Sequence, residues 1–375
     1  MTNDKDDRMG LPSASGIERI MLCPASFIME KEAQRWQAAG DEVSVDAEEG
    51  TMLHAAMSGE VDESTLNDEQ LTTIRRGESI LADAIEIVRS SEGAESYDDV
   101  PQLGRLWAHD GKGFKVFSGE LDWCCAMEGK GGRVALIADW KFGRGDVSEA
   151  ACNYQLAAYA CLLQELSLCT STYYVAIIRP RASKENELTL SKYTNEDVTK
   201  LKKVLIDSCK KAANGCGDTN PGVKQCKYCK AKSICLSAHK EVTEISKINV
   251  SGTGIGVVSG KLLEACTNAE KIIDAIRDRA KAMLSEDINS IPGWTLKDGS
   301  SRSSITDATK AFQILSDKMT TEDFCSAVTV SLAKLVKPWQ SSSGIKSQKS
   351  AREDLESRLS EVIETKQSAK TLSKE

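Results

Sequence analysis

Apolar positions recur along this chain with a helical period at first, then a strand period, then a helical period again. Residues 13–38 read as a helical entry, with Ser13 or Ser15 able to cap it and Pro24 interrupting or restarting it. The stretch Asp46–Ser58 is again helical and carries His54, and the acid-rich residues 59–99 read as an exposed helical insertion centred on Leu71–Val88. The pattern then changes. Phe114–Trp123 and Arg133–Trp140 are β-rich runs, and the Gly-Lys-Gly-Gly at 129–132 is a hairpin signal. Glu149–Leu166 has helical spacing, Thr172–Ile178 is a β-branched and aromatic strand, and Asn195–Ala213 is an amphipathic helix.

The middle of the chain therefore runs helix, strand, strand, helix, strand, helix, which predicts an α/β core around a mixed central sheet flanked by helices. Beyond Cys235 the expectation is a mostly helical extension: helix over 240–285, a turn and short strand at 291–298, and two helices within 306–337. The tail from Ser341 is rich in Ser, Lys and Glu, with one helix expected at 351–366. The divisions expected are a core over 1–240, a mostly helical accessory region over 241–340, and a polar, partly helical or disordered tail over 341–375.

Composition narrows the class. At 375 residues and 41% hydrophobic, the chain can bury a full core and a second small domain. Its formal charge of −8 excludes a protein that coats nucleic acid with a basic surface. It does not exclude a nuclease, because metal ions and a local groove can hold phosphate on an acidic molecule. The first residues are polar and charged, and no stretch approaches 18 apolar residues, so the expectation is a protein of the cytoplasm without a membrane partner. In a reducing compartment, Cys124, Cys125, Cys152, Cys161 and Cys169 are expected to be buried free thiols.

Candidate chemistry gathers where the strands end. Asp122 and Asp139 close the two β-rich runs, which would bring both carboxylates to one sheet edge. Hard divalent ions such as Mg²⁺ or Mn²⁺ take oxygen ligands of this kind. Lys141, two residues after Asp139, falls on the same face of an extended strand. There its ammonium can hold an attacking water and stabilise charge developing on a phosphate, while a metal lowers the pKa of that water. His54 can add a nitrogen ligand, which favours Mn²⁺ somewhat. Glu120 can be a further, weaker ligand, and Gln155 and Tyr159 lie one helical turn apart on one face. A second constellation is cysteine-based: Cys226, Cys229 and Cys235 form a C-x2-C-x5-C cluster, and Cys23 stands far upstream. Such thiolates bind either zinc or an iron–sulfur cluster, with Cys23, or else Cys216 or His239, as the fourth ligand. Lys224, Lys227, Lys230, Lys232 and Lys240 surround the cluster without an acid between Pro221 and Lys240, so a phosphate-tracking edge is possible there.

These residues resemble the PD-(D/E)xK nuclease superfamily, and within it the RecB-like branch. Gly119–Trp123 (GELDW) is similar to that branch's G-x-x-D, Asp139–Gly143 (DWKFG) to its D-[YW]-K-[TF]-G, and Gln155–Ala160 (QLAAYA) to its Q-L-x-x-Y-A. Ser15–Phe27 (SGIERIMLCPASF) is similar to the N-terminal segment of its iron–sulfur members, as in CRISPR-adaptation nucleases and AddB. The resemblance spans about residues 13–240. It implies a restriction-endonuclease-like core, with His54, Asp122, Asp139 and the backbone carbonyl of Trp140 as metal ligands and Lys141 as catalytic. Gln155 and Tyr159 would position DNA or the lysine. It also implies a [4Fe–4S] cluster on Cys23, Cys226, Cys229 and Cys235, with zinc as the alternative. The segment 291–312 looks like the C-terminal region of a family common in phages and prophages, and it implies no chemistry of its own.

The function expected is a Mg²⁺- or Mn²⁺-dependent DNA exonuclease of phage replication or recombination, working in the host cytoplasm. A single-strand-binding or annealing protein is the expected partner, self-association is possible, and Trp107 or Trp123 can offer stacking surfaces. The alternatives are an endonuclease or nickase of the same fold, a catalytically inactive nuclease-like DNA-binding module, and, least supported, a cluster-based redox sensor. Intact Asp122, Asp139 and Lys141 argue against an inactive module.

Overall fold

The strand with the longest run of buried residues, Gly132–Trp140, is buried on both faces, as a central strand must be. The computed structural model describes residues 8–34, 45–99, 103–143, 147–166, 170–246, 260–297, 308–316, 318–327, 331–345 and 347–360. These divide into two compact units, Met1–Leu296 and Lys297–Glu375.

In the first unit a 3-10 turn at Ala14–Gly16 leads into α1 (Ile17–Leu22), α2 (Ser26–Gln34), α3 (Val45–Met57) and α4 (Asp68–Glu92). The strands β1 (Tyr97–Asp99), β2 (Leu106–His109), β3 (Lys115–Gly119), β4 (Trp123–Gly129) and β5 (Gly132–Trp140) follow. Then come α5 (Tyr154–Gln164), β6 (Thr170–Ile178), β7 (Leu188–Thr194) and α6 (Asn195–Ala213). The unit closes with α7 (Val223–Lys227), a 3-10 turn at Lys230–Ser233, α8 (Leu236–Ser246) and α9 (Gly260–Glu286). The main sheet has the order β1-β4-β5-β6-β7, and β2 pairs only with β3. The β5–β6 pair is parallel and the other pairs of the main sheet are antiparallel, so α5 serves as the crossover between its two central strands.

Period-two alternation divides the core. Ala135, Ile137, Val175 and Ile177 face a layer containing Leu156, Leu162, Val198 and Leu205 from α5 and α6. Leu136, Ala138, Ala176 and Ile178 face the other way, onto Leu53 of α3 and Ile74, Ile80, Ala84 and Val88 of α4. The α/β fold class expected from the sequence is the one observed.

Four expectations are corrected. The run Phe114–Trp123 is not one strand: it divides into β3 and β4, and the chain crosses between sheets at residues 120–122. At Gly119 a side chain would meet Ala14, Leu162 and Tyr159 within about 3 Å, so the crossing is tightly packed. The 59–99 segment is not an exposed insertion, because α4 buries a full stripe against the sheet despite its charge. A capping box between Asn67 and Gln70 starts α4, and Gly93, at φ 63°, ends it in a left-handed conformation. Cys152 is exposed at the end of the 3-10 turn Ala150–Cys152, whereas Cys124, Cys125 and Cys161 are buried; Cys169 lies outside the described residues. Residues 290–297 form a turn and irregular chain, with no strand among those described.

Among its described residues the second unit contains α10 (Ala308–Leu315), α11 (Thr321–Ala327), α12 (Leu332–Ser343) and α13 (Gln348–Arg358), one helix more than expected from the sequence. Val336, Ala351 and Leu355 form a small core between α12 and α13, and Trp339 Nε1 donates to Asp354 at 2.9 Å.

Candidate active site and cysteine pocket

The hairpin register pairs Trp123 with Ala138, which sets Asp122, just before β4, beside the end of β5. Asp122 Oδ2 accepts the backbone N–H of Trp140 at 2.9 Å. Asp139 is 1% exposed and points from β5 toward α5. Lys141 continues the extended backbone, its N–H bonded to Ile178 O, so its ammonium returns to the face of Asp139 and stands 2.7 Å from Oδ2. Gln155 ties the group together: Nε2 donates to Asp139 Oδ1 at 2.9 Å and contacts Tyr159 Oη at 2.7 Å, while Oε1 accepts Lys141 Nζ at 3.1 Å. His54 on α3 places Nδ1 3.5 Å from Asp122 Oδ2, with its ring edge-on to Phe142.

Burial dominates the electrostatics. It lifts the Asp139 carboxyl to about 6, with the Asp122 charge adding and Lys141 and His54 opposing. It raises Asp122 too, against the Trp140 N–H and Lys141, and it lowers His54 toward the neutral, ligand-competent form. Tyr159 is raised by burial and by both acids, so it stays a neutral hydroxyl. Among the described residues, no three His, Cys, Asp or Glu side chains stand arranged to hold an ion as placed. The donor chemistry nevertheless suits a hard cation. Asp139 Oδ2 is buried and accepts no aligned hydrogen bond, although Lys141 is close, and such an oxygen has lone pairs open.

Other sequence candidates sit differently. Glu120 lies in the crossing after β3 and is held by Arg105 at 2.9 Å. Trp107 is covered by Lys115, whose ammonium lies 4.2 Å from the ring centroid, and Trp123 packs against the α4 side of the sheet.

Cys23, Cys226, Cys229 and Cys235 line one pocket, with Ser26, Gln225 and Lys232 among its other walls. Cys23 caps the end of α1, Cys226 lies in α7, and Cys229 and Cys235 flank the 3-10 turn Lys230–Ser233. Backbone N–H groups of Asn220 and Gly222 donate to Cys23 Sγ and Cys226 Sγ, each at 3.3 Å. Burial pushes the Cys229 thiol up to about 12 and raises Cys226, so ligation here would release protons. Gly217 closes the loop onto the Cys23–Pro24 turn; a Cβ there would come within 2.4 Å of Pro24. Cys216 is exposed with its thiol toward Asn214 O, and His239 Nε2 faces Lys232 O at 3.2 Å.

The model of the PD-(D/E)XK nuclease superfamily matches residues 12–236, more than half of the chain and every side chain just described except His239. The chain belongs to the PD-(D/E)XK nuclease superfamily. It also belongs to the family described as protein of unknown function DUF2800, whose model matches residues 130–375. No curated protein matches it. A crystal structure of a candidate exonuclease from Eubacterium rectale is similar over 69% of this chain and 96% of its own, at 13% identity and a TM-score of 0.33, which is too remote to carry an argument.

Within this nuclease superfamily core, several positioning groups escaped the sequence reading. Arg181 donates to Glu49 Oε2 at 2.8 Å and to Phe142 O at 3.3 Å, which ties the helix of His54 to the segment after β5. The Arg105–Glu120 pair and the buried Ser26 were likewise not anticipated. No spacing signal could have found them, since each arises from packing between different elements.

Proposed function

We propose that this chain is a metal-dependent deoxyribonuclease of the RecB-like iron–sulfur branch, acting as an exonuclease on DNA ends in phage replication or recombination. The observation that supports it is the convergence of Asp122, Asp139, Lys141 and Gln155 at the end of β5. Asp122, Asp139, His54 and the Trp140 carbonyl would hold Mg²⁺ or Mn²⁺, with Glu120 as a possible outer partner. Bound there, the ion would polarise the scissile phosphate and acidify a water.

The chain's own groups do the rest. Lys141 holds the attacking water and offsets charge developing on the phosphate, while Gln155 fixes the lysine relative to Asp139. Tyr159, neutral and buried, orients Gln155. Cys23, Cys226, Cys229 and Cys235 would hold a [4Fe–4S] cluster, with zinc as the alternative; four cysteines lining one pocket are donors of the kind either group takes. Such a group would staple α1 to the end of the nuclease core.

The proposed division is a nuclease domain over 1–240, an accessory region over 241–340 and a tail over 341–375. The proposed setting is the host cytoplasm, with a phage single-strand-binding or annealing protein as partner and self-association possible. No helix among the described residues is long and apolar enough to cross a membrane. End-labelled linear and covalently closed circular DNA, each with Mg²⁺ or Mn²⁺, test the reading. Linear DNA should be digested and circles spared, and Asp139→Asn should stop the reaction. Cleaved circles would favour the endonuclease, and an Asp139→Asn protein as active as its parent would remove the site.

A further inference from the structure

Ser26 is the first residue of α2, three positions after Cys23, and its backbone N–H is bonded to Cys23 O at 2.9 Å. It is 2% exposed and lines the four-cysteine pocket. Its hydroxyl oxygen is fully buried and has no hydrogen-bond partner among the described residues. A buried hydroxyl without a protein partner is costly, and a water, an ion or a bound group is what ordinarily completes one. Apart from Ser26, the cysteines, Gln225 and Lys232, the pocket wall is apolar: Met29, Pro221, Ala231 and Ala238 contribute no acceptor side chain, and the Gln225 amide donates to Asn220 O at 2.7 Å.

The same pocket already collects donors toward sulfur. Two backbone amides point at Cys23 and Cys226, and Lys232 lies in the wall with its ammonium bonded to Lys227 O at 3.1 Å. Two amide donors to cysteine sulfur, with a lysine in the same wall, suit a group carrying extra negative charge on its sulfurs.

We propose that the Ser26 hydroxyl donates a hydrogen bond to a sulfur of an iron–sulfur cluster held by Cys23, Cys226, Cys229 and Cys235, and so sets its reduction potential without ligating it. This rests on the iron–sulfur reading given above. Ser26 is thus a positioning and tuning residue. A donor to cluster sulfur stabilises the more negative, reduced form, so removing it makes the cluster harder to reduce.

The test uses the full chain purified without oxygen, as parent, Ser26→Ala and Ser26→Thr. Iron and acid-labile sulfide are assayed, and the midpoint potential is titrated by electron paramagnetic resonance. The expected result is that Ser26→Ala keeps its iron while its reduced-to-oxidised ratio at a fixed potential falls about tenfold, a shift of roughly 59 mV for a one-electron couple. Ser26→Thr, which keeps the hydroxyl, should restore the parent value. Full iron with an unchanged potential in Ser26→Ala overturns the Ser26 assignment alone. If Ser26→Ala loses its iron, Ser26→Thr decides: parent-like iron and potential uphold the hydroxyl, and loss there too reduces Ser26 to packing. A parent protein without iron overturns both this inference and the cluster reading, and that outcome is visible before any variant is made.

Discussion

At the end of β5 a spacing of two residues becomes chemistry, because an extended backbone returns every second side chain to the same face. Asp139 and Lys141 meet for that reason, and the pairing is legible in the sequence. Gln155 and Tyr159 are legible too, as neighbours one turn apart on a helix. Lys141→Met should lower DNA cleavage by about 10² to 10⁴-fold while leaving the melting temperature near the parent's, as a digestion rate and a thermal melt would show. Gln155→Ala should reduce the rate by about 10 to 100-fold, the usual scale for a residue that orients reacting groups. A Gln155→Ala protein with parental kinetics would mean that Lys141 needs no such anchor. Glu120 was harder to read. Its engagement by Arg105 depends on β2 and β3 pairing, and short-range pattern carries no record of that pairing.

Among the elements, β5 and β6 were readable because strands covered on both faces become continuous apolar runs. The β7 strand was not, since LTLSKYT is half-polar and sits at the sheet edge, where burial is partial. The α4 helix misled for the opposite reason: many of its residues are charged, yet Ile74, Ile80, Ala84 and Val88 still form a buried stripe. Leu136→Ala, in the middle of β5 and fully buried, should cost about 2 to 5 kcal/mol in denaturant unfolding. Gly119→Ala should cost about 1 to 3 kcal/mol, because its Cβ would stand 2.8 Å from Leu162, 2.9 Å from Ala14 and 3.0 Å from Tyr159. A stability equal to the parent's would show that the crossing from β3 to β4 has slack that the packing does not suggest.

At the scale of the molecule, long-range ties join distant parts of the first unit. Asp110 accepts Lys210, one hundred residues away, together with the N–H groups of Phe114 and Lys112, and Lys210 above all holds its carboxyl down to about 2. A folded pKa below the ordinary 3.8 means the contact stabilises at higher pH and is lost as pH falls from about 4 toward 2. Asp110→Asn should therefore narrow the stability gap between pH 7 and pH 3 in thermal melts; an unchanged gap would deny the tie any role. The second tie is the cysteine pocket, which brings Cys23 to residues 226–235. Cys23→Ser should lower the melting temperature and expose the α1–α2 junction to protease, and Gly217→Ala, which drives a Cβ into Pro24, should do the same with every cysteine intact.

The chain's own pattern determined the α/β class, the central strands, the helix that carries Gln155 and the Asp-x-Lys pair, because each depends on periods of two or 3.6 residues that local sequence records. Tertiary structure alone decided that Asp122 lies at a crossing between two sheets, that α3 brings His54 to it, and that Ser26 ends up buried beside four cysteines. These depend on which segments pack across long stretches of chain, and such packing follows from the summed burial of both faces of the sheet.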